Sequence, residues 1–225
     1  MEIEGPNNKK LDPEPLIDFI RANPSVKAVS SHTAVVSVPD YEDIQILPIL
    51  FFRHPIDRIR SAYDFEKKQD AKTPGAIAAK SGDFKTYMDW RLSTLAPFQV
   101  MNFHASRLKD FYGYTPVKRT DLFLPRAKAA LDALPVVGLV GQFVRSMQRF
   151  AKFIQPYFPG FSIESARENA ASPIGHTLKD NVTAFRDRIG SEVFNKLRHI
   201  NQIDFELYEY AQQIAKRDLP EDVTS

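Results

Sequence analysis

Apolar and polar positions alternate in a way that divides the chain into short β-like runs and longer helical ones. Ile46–Phe52, mostly apolar over seven residues, predicts a short buried strand. Arg53-His54-Pro55 then turns the chain, and Ile56 to about Lys67 predicts a helix with Ile56, Ile59 and Tyr63 on its apolar stripe. Pro55 suits the first helical position, where its missing N–H costs nothing, and Asp57 places a carboxylate near the positive end of the dipole. A second unit of the same kind follows much later, with a strand at Val136–Val140 and a helix from Gln142 to about Gln155. Val26–Ser31 and Thr33–Val38 are further β-rich runs, the second stopped by Pro39. Helical spacing covers Pro13–Ala22 (apolar at Leu16, Ile17 and Ile20), Phe84–Leu92, Phe98–Phe111 and Leu122–Leu134. It returns at Thr177–Ile189, Ser191–Ile200 and Asp204–Lys216. Lys68–Lys80, with the turn signal Thr73-Pro74-Gly75, is expected to be a loop, as are Tyr112–Thr120 and Pro156–Pro173. The pattern predicts an α/β domain over residues 1–225, with a small parallel sheet flanked by helices and a helical C-terminal half. Residues 1–12 read as a polar leader and 218–225 as a tail.

Composition narrows the function classes. A 43% hydrophobic content over 225 residues is enough for a substantial core. The 30 basic and 28 acidic residues balance to +2, without the basic stripe that nucleic acid calls for. Without a cysteine, thiolate catalysis and cysteine zinc sites are excluded. The five histidines show no paired metal-ligand spacing, so no metal is expected. The sequence has neither an apolar run of about 18 residues nor a signal-peptide pattern, which gives the expectation of a soluble, cytoplasmic protein.

The candidate chemistry gathers after the first strand. A strand feeding a helix through a tight turn aims free amides and the helix dipole at one point, which makes an anion site. Arg53 adds a planar fork suited to phosphate oxygens. Ser61 lies about two turns into the helix, on a face with Asp57 and Arg58. Arg53 and Ser61 are thus placed to grip one phosphate, with Arg58 a further candidate, although an ordinary βα unit with solvated arginines has the same spacing. His32 falls at a strand end, where α/β folds hold their chemistry; a hydrogen-bonded structural histidine is the other reading. GPNNKK near the start has no apolar strand before it and is not a phosphate loop. Tyr87, Trp90, Phe98 and Phe103 have the spacing of core aromatics, and sugar stacking is the alternative.

FFRHPIDRIRSAYDF resembles the 3′-phosphate-binding segment of sulfotransferases that use 3′-phosphoadenosine 5′-phosphosulfate (PAPS), with Arg53, Pro55, Ser61 and Tyr63 at the matching positions. The branch it is most similar to is the carbohydrate and heparan sulfate 2-O-sulfotransferases. VKAVSSH resembles that branch's run into a strand-end histidine, VVGLVGQ its late βα unit and DFELYEYA its terminal helix. The resemblance implies a P-loop-NTPase-like fold and transfer of a sulfuryl group from PAPS to a hydroxyl of a carbohydrate-type acceptor. It also implies His32 as catalytic base, and Arg53 and Ser61, with Arg58 behind them, as the cofactor-binding residues. Asn102 and His104 fall where the family has an Asn-x-Gln stretch lining the acceptor side, with His104 replacing the Gln. The family's 5′-phosphosulfate loop, roughly KTxGTS after an apolar strand, has no counterpart in residues 1–31, so the N-terminal βα unit is expected to be missing. Either the reading frame starts late, or the chain is a catalytically inactive relative that binds a nucleotide or serves as an interaction protein.

Overall fold

A computed structural model describes residues 1, 3, 13–31, 41–70, 72–94, 97–111, 115–163 and 177–217. Its centre is a two-stranded parallel sheet of β1 (Leu50–Phe52) and β2 (Val137–Leu139), in register Leu50↔Val137, Phe51↔Gly138 and Phe52↔Leu139. Parallel pairing needs a crossover. Here the described residues of the crossover carry five α-helices: α2 (Pro55–Lys68), α3 (Pro74–Ser81), α4 (Phe84–Ser93), α5 (Phe103–Leu108) and α6 (Phe123–Asp132). α1 (Pro13–Ala22) precedes the sheet, and α7 (Phe143–Ile154), α8 (Leu178–Ile189), α9 (Ser191–Ile200) and α10 (Gln202–Arg217) follow it. The chain is therefore a mostly helical α/β protein.

Three apolar clusters hold most of these elements together, the smallest of them Val136, Phe150 and Ile154 where α7 meets the sheet. β1, β2, α5, α6 and α10 enclose a core that includes Phe52, Phe123, Leu131, Leu139 and Leu207. α2, α3, α4, α8 and α9 enclose a second one around Ile56, Ile59, Tyr63, Tyr87, Phe185 and Leu197. Tyr87 is therefore a core aromatic, as its spacing predicts. β2 is buried throughout, and Gly138 is needed there: a Cβ would lie 2.6 Å from Phe150 and 2.9 Å from Phe51. Side chains of α7 satisfy backbone groups of β2, an economical way to close a strand edge. Leu139 N–H donates to Ser146 Oγ at 2.8 Å, and Arg149 Nη1 donates to the Val137 carbonyl at 2.8 Å.

Four sequence expectations are corrected. β1 begins only at Leu50, because Pro48 cannot donate to a ladder and the paired stretch of β2 is three residues long. Val26–Ser31 is not a strand; its one bridge is Ser30, which exchanges hydrogen bonds with Met1 and Ile3 at 2.8 and 2.9 Å. The expected loop contains α3. Thr73 Oγ1 accepts from Ala76 N–H at 3.2 Å and Pro74 opens the first turn, so the turn signal is a helix start. Gly75 there lets α3 approach the Arg91–Glu66 ion pair, since a Cβ would lie 2.6 Å from Arg91 Nη2. Phe98–Phe111 is broken at Asn102, whose φ of 43° is left-handed, leaving a 3-10 turn at Pro97–Gln99 and then α5. Thr33–Val38 lies outside the described residues.

Candidate functional site

Both strands end on the same side of the sheet. β1 runs into Arg53-His54 and the N-terminus of α2, and β2 runs into the turn Val140–Gln142 and then α7. In open parallel sheets this carboxyl end is where ligands bind. Pro55 takes the first helical position of α2, as expected. His54 stands at the N-cap without a side-chain capping bond, so its ring leaves the first-turn amides of α2 untouched.

Arg53 Nε lies 2.9 Å from Asp57 Oδ2, one turn into α2. The angle is too poor for a hydrogen bond, and Nε is buried with no other acceptor. Asp57 thus anchors the arginine by charge, while its Oδ1 accepts from Arg60 Nε and Nη2 at 3.1 and 2.9 Å. The Arg53 side chain stays 29% exposed, and its two terminal nitrogens meet no acceptor among the described residues. Arg60 also reaches Asp64, about two turns further along α2, where Arg188 of α8 pairs with the same carboxylate. Ser61 is partly buried, one turn beyond Asp57 on the same helix face. Arg53, Asp57 and Ser61 therefore follow one another along one side of α2.

Arg58 points elsewhere. Its Nη1 donates to the Gln99 carbonyl at 2.6 Å and its Nη2 to Gln99 Oε1 at 2.8 Å. Its guanidinium carbon sits 3.4 Å from the centre of the Phe103 ring. Burial pushes its pKa down to about 10, against the opposing pull of Asp204, so it remains a cation at neutral pH. Every recorded contact of its guanidinium is inside the protein. His32 lies outside the described residues. Gly141, in the turn after β2, has room for a side chain; the nearest neighbours of a Cβ there would be Leu178 and Tyr208, both at 3.8 Å.

The site also contains His54 and Tyr208, which the sequence did not single out as site residues, and His104, which the resemblance set on the acceptor side. The His54 ring meets Phe205 and Tyr208 edge-on, at 5.3 and 5.4 Å, and its Nδ1 is buried without a partner. Tyr208 projects from α10 towards Gly141, between the two strand ends, and burial together with the Asp57 charge raises its pKa. His104 Nε2 lies 3.0 Å from the Arg53 carbonyl. A carbonyl only accepts, so Nε2 carries the proton and donates. The available signal was His54 next to Arg53 in sequence, and Asp204 and Tyr208 at helical spacing on one face of the last helix.

Burial lowers the pKa of both His54 and His104, partly offset by Asp57 and Asp204 respectively. Both rings are neutral when folded and take up a proton more readily when unfolded. Below the ordinary histidine value of about 6.5, the unfolded state gains protons first and stability falls. We expect the melting temperature to hold above about pH 6.5 and to decline towards pH 5, with a slope reaching about 1.4 kcal/mol per pH unit for each proton. His54→Gln should flatten the decline seen by calorimetry; an unchanged slope would remove His54 from this account.

Comparison with known proteins identifies the class. The chain belongs to the Sulfotransferase family, whose model matches residues 21–211. It is also 36% identical, over 200 residues, to an uncharacterized protein of Archaeoglobus fulgidus, covering 86% of this chain and 78% of that one. No solved structure matches it. Family membership implies a P-loop-like fold, in keeping with parallel strands that end at an arginine and a helix N-terminus. No helix among the described residues is long and apolar enough to cross a membrane.

Proposed function

We propose that the chain is a PAPS-dependent sulfotransferase acting on a carbohydrate-type hydroxyl. The observation that carries this reading, besides the family, is the environment of Arg53. This guanidinium is tethered at Nε by Asp57, exposed at its other end and set beside the N-terminus of α2. A dianionic phosphate suits that arrangement, because helix amides and a planar guanidinium both favour negative charge. In this reading Arg53 and Ser61 hold the 3′-phosphate. Arg58, engaged by Gln99 and Phe103, supports the α2–α5 contact from behind.

The bound co-substrate would supply an activated sulfuryl group on a 5′-phosphate leaving group. His32 would take the proton from the acceptor hydroxyl as its oxygen bonds to sulfur, while the S–O bond to the 5′-phosphate breaks and 3′-phosphoadenosine 5′-phosphate leaves. A neutral imidazole is matched to that task near pH 7. The experiment is turnover of PAPS with a panel of oligosaccharides, following both 3′-phosphoadenosine 5′-phosphate and acceptor-bound sulfate. The expected result is acceptor-dependent release, with kcat lowered about 100-fold or more in His32→Ala. Tight nucleotide binding with no transfer to any acceptor would instead make the chain an inactive nucleotide-binding relative.

A further inference from the structure

We propose that His104 is a positioning residue for Arg53: it fixes the strand-end carbonyl from which the phosphate-binding guanidinium is presented. The inference rests on the reading of Arg53 given above. Its evidence is a chain of polar contacts running from the last helix to the end of β1. Asp204 of α10, 1% exposed, accepts from the His104 and Ala105 amides, each at 2.9 Å. It caps α5 from another helix, which no residue next to α5 in sequence does: Asn102, the N-cap, makes no side-chain cap. Asn102 is itself held by this helix junction. Its N–H donates to Asn201 Oδ1 at 2.8 Å, and its Oδ1 accepts from Asp204 N–H at 3.2 Å. Asn201, also 1% exposed, closes the junction by donating to the carbonyls of Val100 and Leu197 at 2.8 and 2.9 Å.

The backbone of α5 is thereby fixed at its first residues, and the His104 side chain leaves from that fixed point. Its ring packs against Phe52 at 4.8 Å and Phe103 at 5.6 Å between centres. With the ring so confined, the 3.0 Å bond from Nε2 to the Arg53 carbonyl sets where β1 stops and the turn into α2 begins. β1 is only three residues long, and its last one, Phe52, immediately precedes Arg53. So short a strand gives little rigidity of its own past its end. The Asp57 contact fixes one side of the guanidinium, and the His104 contact fixes the backbone behind it. A phosphate contact made by two terminal nitrogens depends on direction as well as charge, so a shift of the carbonyl would weaken it.

The test compares affinities for 3′-phosphoadenosine 5′-phosphate and AMP, whose ratio isolates the 3′-phosphate. His104→Leu keeps apolar bulk against Phe52 but has no donor, and His104→Gln carries an N–H of similar reach. We expect the leucine variant to lower the ratio about tenfold with AMP affinity unchanged, and the glutamine variant to restore it to within about threefold. A loss of packing alone would weaken both nucleotides together and would not be rescued by glutamine. Should the leucine variant fail to fold, His104→Asn takes its place, since its amide is too short to reach the carbonyl. A folded variant without the donor that keeps the wild-type ratio overturns the inference. Arg53→Ala separates the two levels: if it leaves the ratio unchanged, the phosphate reading itself fails. If it collapses the ratio while His104→Leu does not, only the positioning role falls.

Discussion

Asp204→Ala is expected to lower the unfolding free energy by about 3–5 kcal/mol. The carboxylate is buried, and its oxygens take the His104 and Ala105 amides of α5. Hydrogen bonds to a charged group contribute about 1.5–3 kcal/mol each, and two buried amides lose theirs together. The same carboxylate opposes the charge of Arg58, which is poorly solvated where it lies on Phe103. Removing it leaves that cation without its counter-charge, a loss that adds to the first. Asp204→Asn retains one acceptor oxygen and should cost about half as much. Urea unfolding measures this as a lower midpoint with an unchanged slope. A loss below about 1 kcal/mol would show that α5 is held by packing rather than by its cap.

Arg53→Ala carries the largest expected effect on binding. Losing charge-assisted hydrogen bonds to a phosphate costs about 1.5–3 kcal/mol, which corresponds to about a 10- to 150-fold weaker complex with 3′-phosphoadenosine 5′-phosphate. AMP has no 3′-phosphate and should bind both proteins alike. The fold should survive, because the arginine is partly exposed and Asp57 keeps Arg60 as a partner. Arg53→Lys should recover part of the charge but not the fork, giving an intermediate affinity. Equal weakening of both nucleotides in Arg53→Ala would place the arginine in general support of α2 rather than on the phosphate.

The elements most legible in the sequence were those with strong local signals. Pro55 at a helix start, Gly190 between two helices and the apolar face of the last helix each specify structure within a few residues. Gly190 indeed takes a φ of 81° between α8 and α9. Thr73-Pro74-Gly75 misled because the same residues serve a turn or a capped helix, and here Thr73 caps and Pro74 opens α3. The break at Asn102 depends on Asn201 and Asp204, about a hundred residues away, so no local pattern announces it. The same holds for the site. The placement of Arg53 and Ser61 on the βα unit could be read from spacing, whereas the enclosure of His54 by α10 and the grip of His104 on β1 are tertiary contacts. Arg58 shares the helix face of Ser61 by spacing, yet its long side chain turns to Gln99, which no periodicity reveals.

The central claim is that the carboxyl end of β1 holds the 3′-phosphate of an adenosine nucleotide. Calorimetric titration of the full chain with 3′-phosphoadenosine 5′-phosphate, with AMP as control, tests it most directly. The expected result is tighter binding of the 3′-phosphorylated nucleotide by about tenfold or more, with the difference lost in Arg53→Ala. Equal affinity of the folded protein for the two nucleotides, or no binding of either, would contradict it.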